Sequence, residues 1–153
     1  MIMKRAIAVL AYFFLSLGAF ASADDSLPTL EFRLADDVET PDWKKMLIPD
    51  TSEAVFVCTE ASLKGSHIAR VSFYKDVNGD PTIALTLTEE GAAAMEITTT
   101  ENIDRRLAIV LDGKLIMAPK ILAPIKKEMV ISGLTKKEDL LKIFRAIVLR
   151  ELP

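Results

Sequence analysis

Leu107-Ala108-Ile109-Val110-Leu111-Asp112-Gly113-Lys114-Leu115-Ile116-Met117-Ala118 is the stretch from which the architecture of this chain can be read. Five consecutive apolar residues, Leu107 to Leu111, predict a central strand covered on both faces or nearly so. Asp112-Gly113 follows as a two-residue hairpin signal, because the tight turns that match strand twist need positive φ at their central positions. The chain then returns through Leu115 to Ala118 as an antiparallel partner. A strand of this kind needs neighbours in its sheet and helices over it.

Those neighbours are visible upstream. Leu30, Phe32 and Leu34 alternate with Glu31 and Arg33, the period of two that buries one face of a strand. Thr40-Pro41-Asp42-Trp43 predicts a short helix start, with a capping hydroxyl, a proline whose missing N–H costs nothing there, and an acid in the first turn. Pro49 must end it. Ala54 to Cys58 reads as a compact strand. Val71 and Phe73, then Ile83, Leu85 and Leu87, form two alternating runs around Asn78-Gly79-Asp80, a second hairpin. Thr88 caps a helix whose first turn holds Glu89 and Glu90, and Ala92, Ala93, Ala94, Met95 and Ile97 give it a narrow side toward a sheet.

Downstream, Pro119 and Pro124 precede a short strand, Met129 to Ser132, which Gly133 ends. Thr135 with Glu138 has the spacing of a capping box. Leu140, Leu141, Phe144, Ile147 and Val148 lie on one stripe of the closing helix, which should pack on the sheet. The order predicts an α+β fold, a ferredoxin-like two-layer sandwich with a mainly antiparallel sheet and helices on one face.

The N-terminus predicts export. Lys4 and Arg5 precede an apolar run from Ala6 to Phe20, and Ala21-Ser22-Ala23 offers small residues for cleavage, so residues 1–23 read as a signal peptide. Retention as an anchor is the alternative, because the run approaches the roughly 20 residues that span a bilayer. Cleavage leaves 153 less 23, or 130, residues, enough for one core. It also leaves 17 basic residues against 22 acidic ones, a net charge of −5, which would not attract nucleic acid or an anionic membrane. Cys58 is the single cysteine, so no internal disulfide can staple the fold.

Several motifs together carry a family likeness: Ile83 to Ala92, Thr100-Glu101-Asn102-Ile103, Arg106 to Lys114, Met117-Ala118-Pro119, Ile125, and Ile131-Ser132-Gly133 with the terminal helix. In that order they resemble the head subdomain of the first periplasmic domain of SecD, the accessory subunit of the export translocon. The resemblance covers most of 54–153, with 24–53 as an N-terminal strand and short helix ahead of it. It implies a periplasmic, non-catalytic module that contacts exported polypeptides or envelope proteins. It also implies architectural roles for Thr88, Gly91, Asn102, Arg106, Asp112, Gly113, Pro119 and Gly133. The membrane helices and ionisable residues of SecD's proton coupling have no counterpart here.

The residues themselves offer little chemistry. A catalytic triad needs a histidine held by a carboxylate and facing a nucleophile, and His67 is the only histidine. An enzyme or ligand-binding protein using a pocket near His67 is therefore the alternative function. Zinc would need three or four Cys or His ligands, and the chain has two such residues. Asp76, Asn78 and Asp80 place oxygens at alternate positions like the opening of a calcium loop, but no glutamate follows at the required place. No metal and no cofactor is expected. The candidate contact surface is the apolar, proline-punctuated segment holding Ile116, Met117, Pro119, Ile121, Leu122 and Ile125. Prolines consign such a run to a sheet edge or loop, where extended peptides are recruited by strand addition, unless it simply closes the core under the last helix. The same edge would suit pairing of two copies.

Overall fold

Leu107 to Leu111 is buried at every position, and the reason is its place in the sheet. The computed structural model describes residues 27–134 and 136–149. The expected signal peptide and the Thr135 cap lie outside the described residues. Nine strands and two helices follow in the order β1 (Leu30–Asp36), β2 (Lys44–Leu47), β3 (Ala54–Val57), β4 (Leu63–Lys64), β5 (Ile68–Lys75), β6 (Pro81–Leu87), α1 (Glu89–Glu101), β7 (Arg106–Leu111), β8 (Lys114–Met117), β9 (Glu128–Ile131) and α2 (Lys137–Val148). A single 3₁₀ turn, Gly65–His67, joins β4 to β5.

Every pairing is antiparallel, as expected, but the strands divide into two sheets instead of forming the one sheet of a ferredoxin-like sandwich. The larger sheet runs β2-β3-β1-β7-β8, with β4 paired to β1, and the smaller runs β5-β6-β9. Strand β1 lies against β7 from Leu30↔Leu111 to Ala35↔Arg106. Its other edge is shared, β4 taking Glu31 and Phe32 while β3 takes Ala35 and Asp36. One core joins both sheets: Leu30, Phe32, Leu107, Ile109 and Leu111 meet Ile83, Leu85, Leu87, Met129 and Ile131 of the smaller sheet. The alternate residues of the larger sheet, Ala35, Val55, Val57, Ala108, Val110 and Leu115, form a second cluster, so β7 is covered on both faces.

Three local expectations need correcting. Thr40 to Trp43 is a tight turn instead of a helix: Trp43 N–H donates to the Thr40 carbonyl at 3.2 Å, and Asp42 has φ +67°. Proline at the second position and a left-handed third residue suit such a turn as well as proline suits a helix start. Pairing with β3, from Lys44↔Val57 to Leu47↔Ala54, then draws the following residues into a strand. On α1 Met95, with Ala92 and Ala94 partly buried beside it, faces the core as expected, but Gly91 and Thr99 complete that side while Ala93 and Ile97, the latter 59% exposed, face away. On α2 it is Ile143, Ala146 and Ile147, with Leu140 partly buried, while Leu141 and Phe144 face outward. Phe144 instead meets Phe73 of the edge strand β5, with ring centroids 5.6 Å apart and the rings tilted.

Both hairpins form as expected. Asp112 and Gly113 have φ +49° and +74°, the primed-turn geometry that joins β7 to β8. β5 and β6 pair from Ile68↔Leu87 to Lys75↔Pro81. The Asp76 carboxylate is used within that turn, accepting the Asn78 N–H at 2.8 Å and the Asp80 N–H at 2.9 Å. Cys58, expected as the last residue of a strand, falls one residue beyond β3 and is partly exposed.

Candidate functional site

The segment after β8 does not leave β7 at once. Proline has no N–H to donate, yet its carbonyl still accepts, and Pro119 receives the Leu107 N–H at 2.9 Å. Ile121 then donates to the Arg105 carbonyl at 2.8 Å and accepts the Asp104 N–H at 2.9 Å. From there the chain crosses to the smaller sheet, where the Lys127 carbonyl receives the Leu87 N–H at 2.8 Å before β9 begins. Residues 118–127 are thus a strap between the last strand of the larger sheet and the last strand of the smaller one.

Two side chains anchor it. Arg106 donates through Nη1 to the Ala118 carbonyl at 2.9 Å while its Nε meets Asp37 Oδ1 at 2.6 Å. Thr99, fully buried on α1, donates to the Met95 carbonyl at 2.7 Å and accepts the Ile125 N–H at 2.8 Å. Between those anchors Ile121 is buried, whereas Leu122 is 80% exposed. The segment therefore closes the core at one residue and presents apolar surface at the next.

A groove of about 420 Å³ opens between the strap and β9. Met117, Pro119, Ile121, Leu122 and Ile125 line it, with Leu107 and Ile109 contributing from β7. Ile116 does not; it packs on the main core instead. Across from the strap, every residue from Glu128 to Ser132 lines the groove. A strand showing one face would contribute alternate residues only, so β9 presents its edge, and among the described residues that edge has no strand partner besides β6 on the other side. Among the described residues the charged ones lining it are Lys120 and Glu128, so the groove is largely apolar, with the β9 edge along one side.

The remaining family-motif residues hold the frame around this site. Thr88 Oγ1 accepts the Gly91 N–H at 3.1 Å and caps α1. Asn102 closes α1 by donating to the Thr98 carbonyl at 2.8 Å. Asp112 Oδ1 accepts the Thr29 N–H at 2.8 Å, tying the entry of β1 to the β7–β8 turn. Gly133 bends the chain after β9 with φ +81°.

His67 is occupied with architecture. Its Nδ1 accepts the Lys64 N–H at 3.2 Å, and its carbonyl accepts the Thr88 N–H at 2.8 Å. Among the described residues no three His, Cys, Asp or Glu side chains cluster as a metal site would require, and no helix is long and apolar enough to cross a membrane. Sequence reasoning found the strap through its apolar residues and prolines but passed over Thr99, one of three consecutive threonines, and the β9 edge.

Comparison with known proteins bears out the family likeness. The model of the SecDF P1 head subdomain matches residues 42–150. The protein translocase subunit SecDF of Thermus thermophilus is 43% identical over 89 residues, 58% of this chain and 12% of that protein. The subunit SecD of Treponema pallidum is 41% identical over 66 residues, 43% of this chain and 11% of that protein. The chain thus spans about an eighth of the length of these relatives. A crystal structure of SecDF in a super-membrane-facing form superposes with a TM-score of 0.60 at 31% identity, over 80% of this chain and 18% of that one. A structure described as a membrane component SecDF that enhances protein export gives 0.59 at 29% identity, over 80% of this chain and 61% of that one.

Proposed function

This chain belongs to the SecDF P1 head subdomain family, and from that premise we propose that it is an exported, non-catalytic module that holds polypeptides during protein translocation. The polypeptide is an exported protein or an envelope partner, and it lies in the groove between the strap and β9. Residues 1–23 direct the chain to the periplasm and are removed there, leaving 54–153 as the head, with 24–53 supplying β1 and β2 ahead of it.

One observation carries the reading. The groove pairs an apolar strap with an unpaired strand edge, so it offers burial for side chains and hydrogen bonds for backbone in the same place. An extended, unfolded chain has both to give, whatever its sequence. A folded protein with its backbone already paired has little to offer such a wall. Chemistry is not needed for this task, and the histidine is spent on the turn that supports α1.

The test is a titration of a dye-labelled, carboxymethylated unfolded polypeptide into the purified protein, compared with the same polypeptide in native form. Binding of the unfolded form alone, weakened by Leu122→Asp, supports the groove. No association with either form, or equal binding after Leu122→Asp, removes it.

A further inference from the structure

We propose that Thr99 is a positioning residue for the groove, an inference that rests on the polypeptide-binding reading above. Its hydroxyl makes two short bonds in opposite senses, donating to the Met95 carbonyl at 2.7 Å and accepting the Ile125 N–H at 2.8 Å. The first bond orients the hydroxyl, because a threonine in a helix can return its proton to the carbonyl four residues back. Its lone pairs are thereby turned outward to a single backbone donor on the strap, 26 residues away in sequence.

That donor is the last buried anchor to α1 before the strap crosses to β9. Pro124 cannot donate, and Leu122 and Ala123 are exposed, so among the described residues the Thr99 hydroxyl makes the one hydrogen bond from residues 122–127 to α1; Lys126 and Glu96 of α1 add only an exposed ion pair at 3.9 Å, a weak tether. Ile125 lines the groove, and its backbone position sets how far the apolar wall stands from the β9 edge. A strap held at one width in the free protein spares an incoming chain the cost of ordering it. Thr99 touches no ligand in this account. It acts through Ile125.

The experiment compares the full chain with Thr99→Val, which keeps the shape and removes the hydroxyl, and with Thr99→Ser, which keeps the hydroxyl. Amide exchange at Ile125 and affinity for the labelled unfolded polypeptide are read on each. Thr99→Val should speed exchange at Ile125 while leaving Leu107 protected, and weaken binding about tenfold, as expected from the loss of one buried hydrogen bond. Thr99→Ser should bind within about twofold of the parent, the hydroxyl being retained. Parent binding that Thr99→Val leaves unchanged overturns the positioning role and spares the groove. A folded Thr99→Ser that binds about tenfold more weakly than the parent also overturns it, and that comparison stands even should the valine variant fail to fold. No binding by the parent sinks the groove reading and the positioning role with it.

Discussion

Gly91 lies so close to His67 that a Cβ built on it would stand 2.7 Å from both the His67 Cβ and the His67 carbonyl oxygen. The contact seats the 3₁₀ turn against the first turn of α1, where Thr88 both caps the helix and donates its N–H to that same carbonyl. Alanine in place of glycine gains up to about 1 kcal/mol in a helix interior, but this overlap is with backbone and must move one element off the other. Gly91→Ala should therefore lower stability by about 1–3 kcal/mol, the range for overpacked interiors. Urea unfolding would show it as a lower midpoint with unchanged slope.

Arg106 joins three parts of the fold, as the first residue of β7 with bonds to Asp37 beyond β1 and to the Ala118 carbonyl beyond β8. Its side chain is largely buried, whereas Asp37 is half-exposed. Arg106→Met should cost about 1–3 kcal/mol, as for a buried acceptor left without its donor. Asp37→Asn should cost under about 1 kcal/mol, the range of exposed ion pairs. Lysine would not replace Arg106, since one ammonium cannot reproduce the fork. Thermal melts of the three variants check the ranking.

Gly113 has φ +74° with open space where a Cβ would stand, so its requirement is conformational and not steric crowding. Gly113→Ala should cost about 1–2 kcal/mol, the price of the left-handed region for an L-residue. Asp112, at φ +49° in the same turn, should tolerate asparagine and resist valine, because only short polar side chains enter that region readily. Chemical denaturation of the four proteins separates these outcomes.

Phe73 and Phe144 meet as a tilted pair at 5.6 Å although both are substantially exposed, forming an aromatic contact between the edge strand β5 and α2. A double-mutant cycle with alanine should give a coupling of about 0.5–1.5 kcal/mol, the range for tilted aromatic pairs. Additive single effects would mean that the rings do not hold α2 in place.

What the sequence disclosed follows from the range of the interactions involved. Leu107 to Leu111, the Asp112-Gly113 turn and the Thr88 cap are decided by residues next to one another, and all three could be read directly. Thr40 to Trp43 has the residues of a helix start and of a proline turn at once. The choice falls to β3, a partner reached only after the chain reverses at Pro49 and Asp50. The division into two sheets was hidden for the same reason, because hairpin patterns say which strands are adjacent but not where a sheet ends. In the groove, Met117, Pro119, Ile121, Leu122 and Ile125 were legible as an apolar run broken by prolines. The opposing wall was not, since Val130 and its neighbours contribute an edge that only the strand order reveals.

Backbone amide shifts followed during titration with an unfolded polypeptide would locate its contact on the fold. Perturbations concentrated at 117–132, with the β9 amides gaining protection from exchange, are the predicted result. Perturbations confined to β5 or to the surroundings of His67, with 117–132 silent, would contradict it.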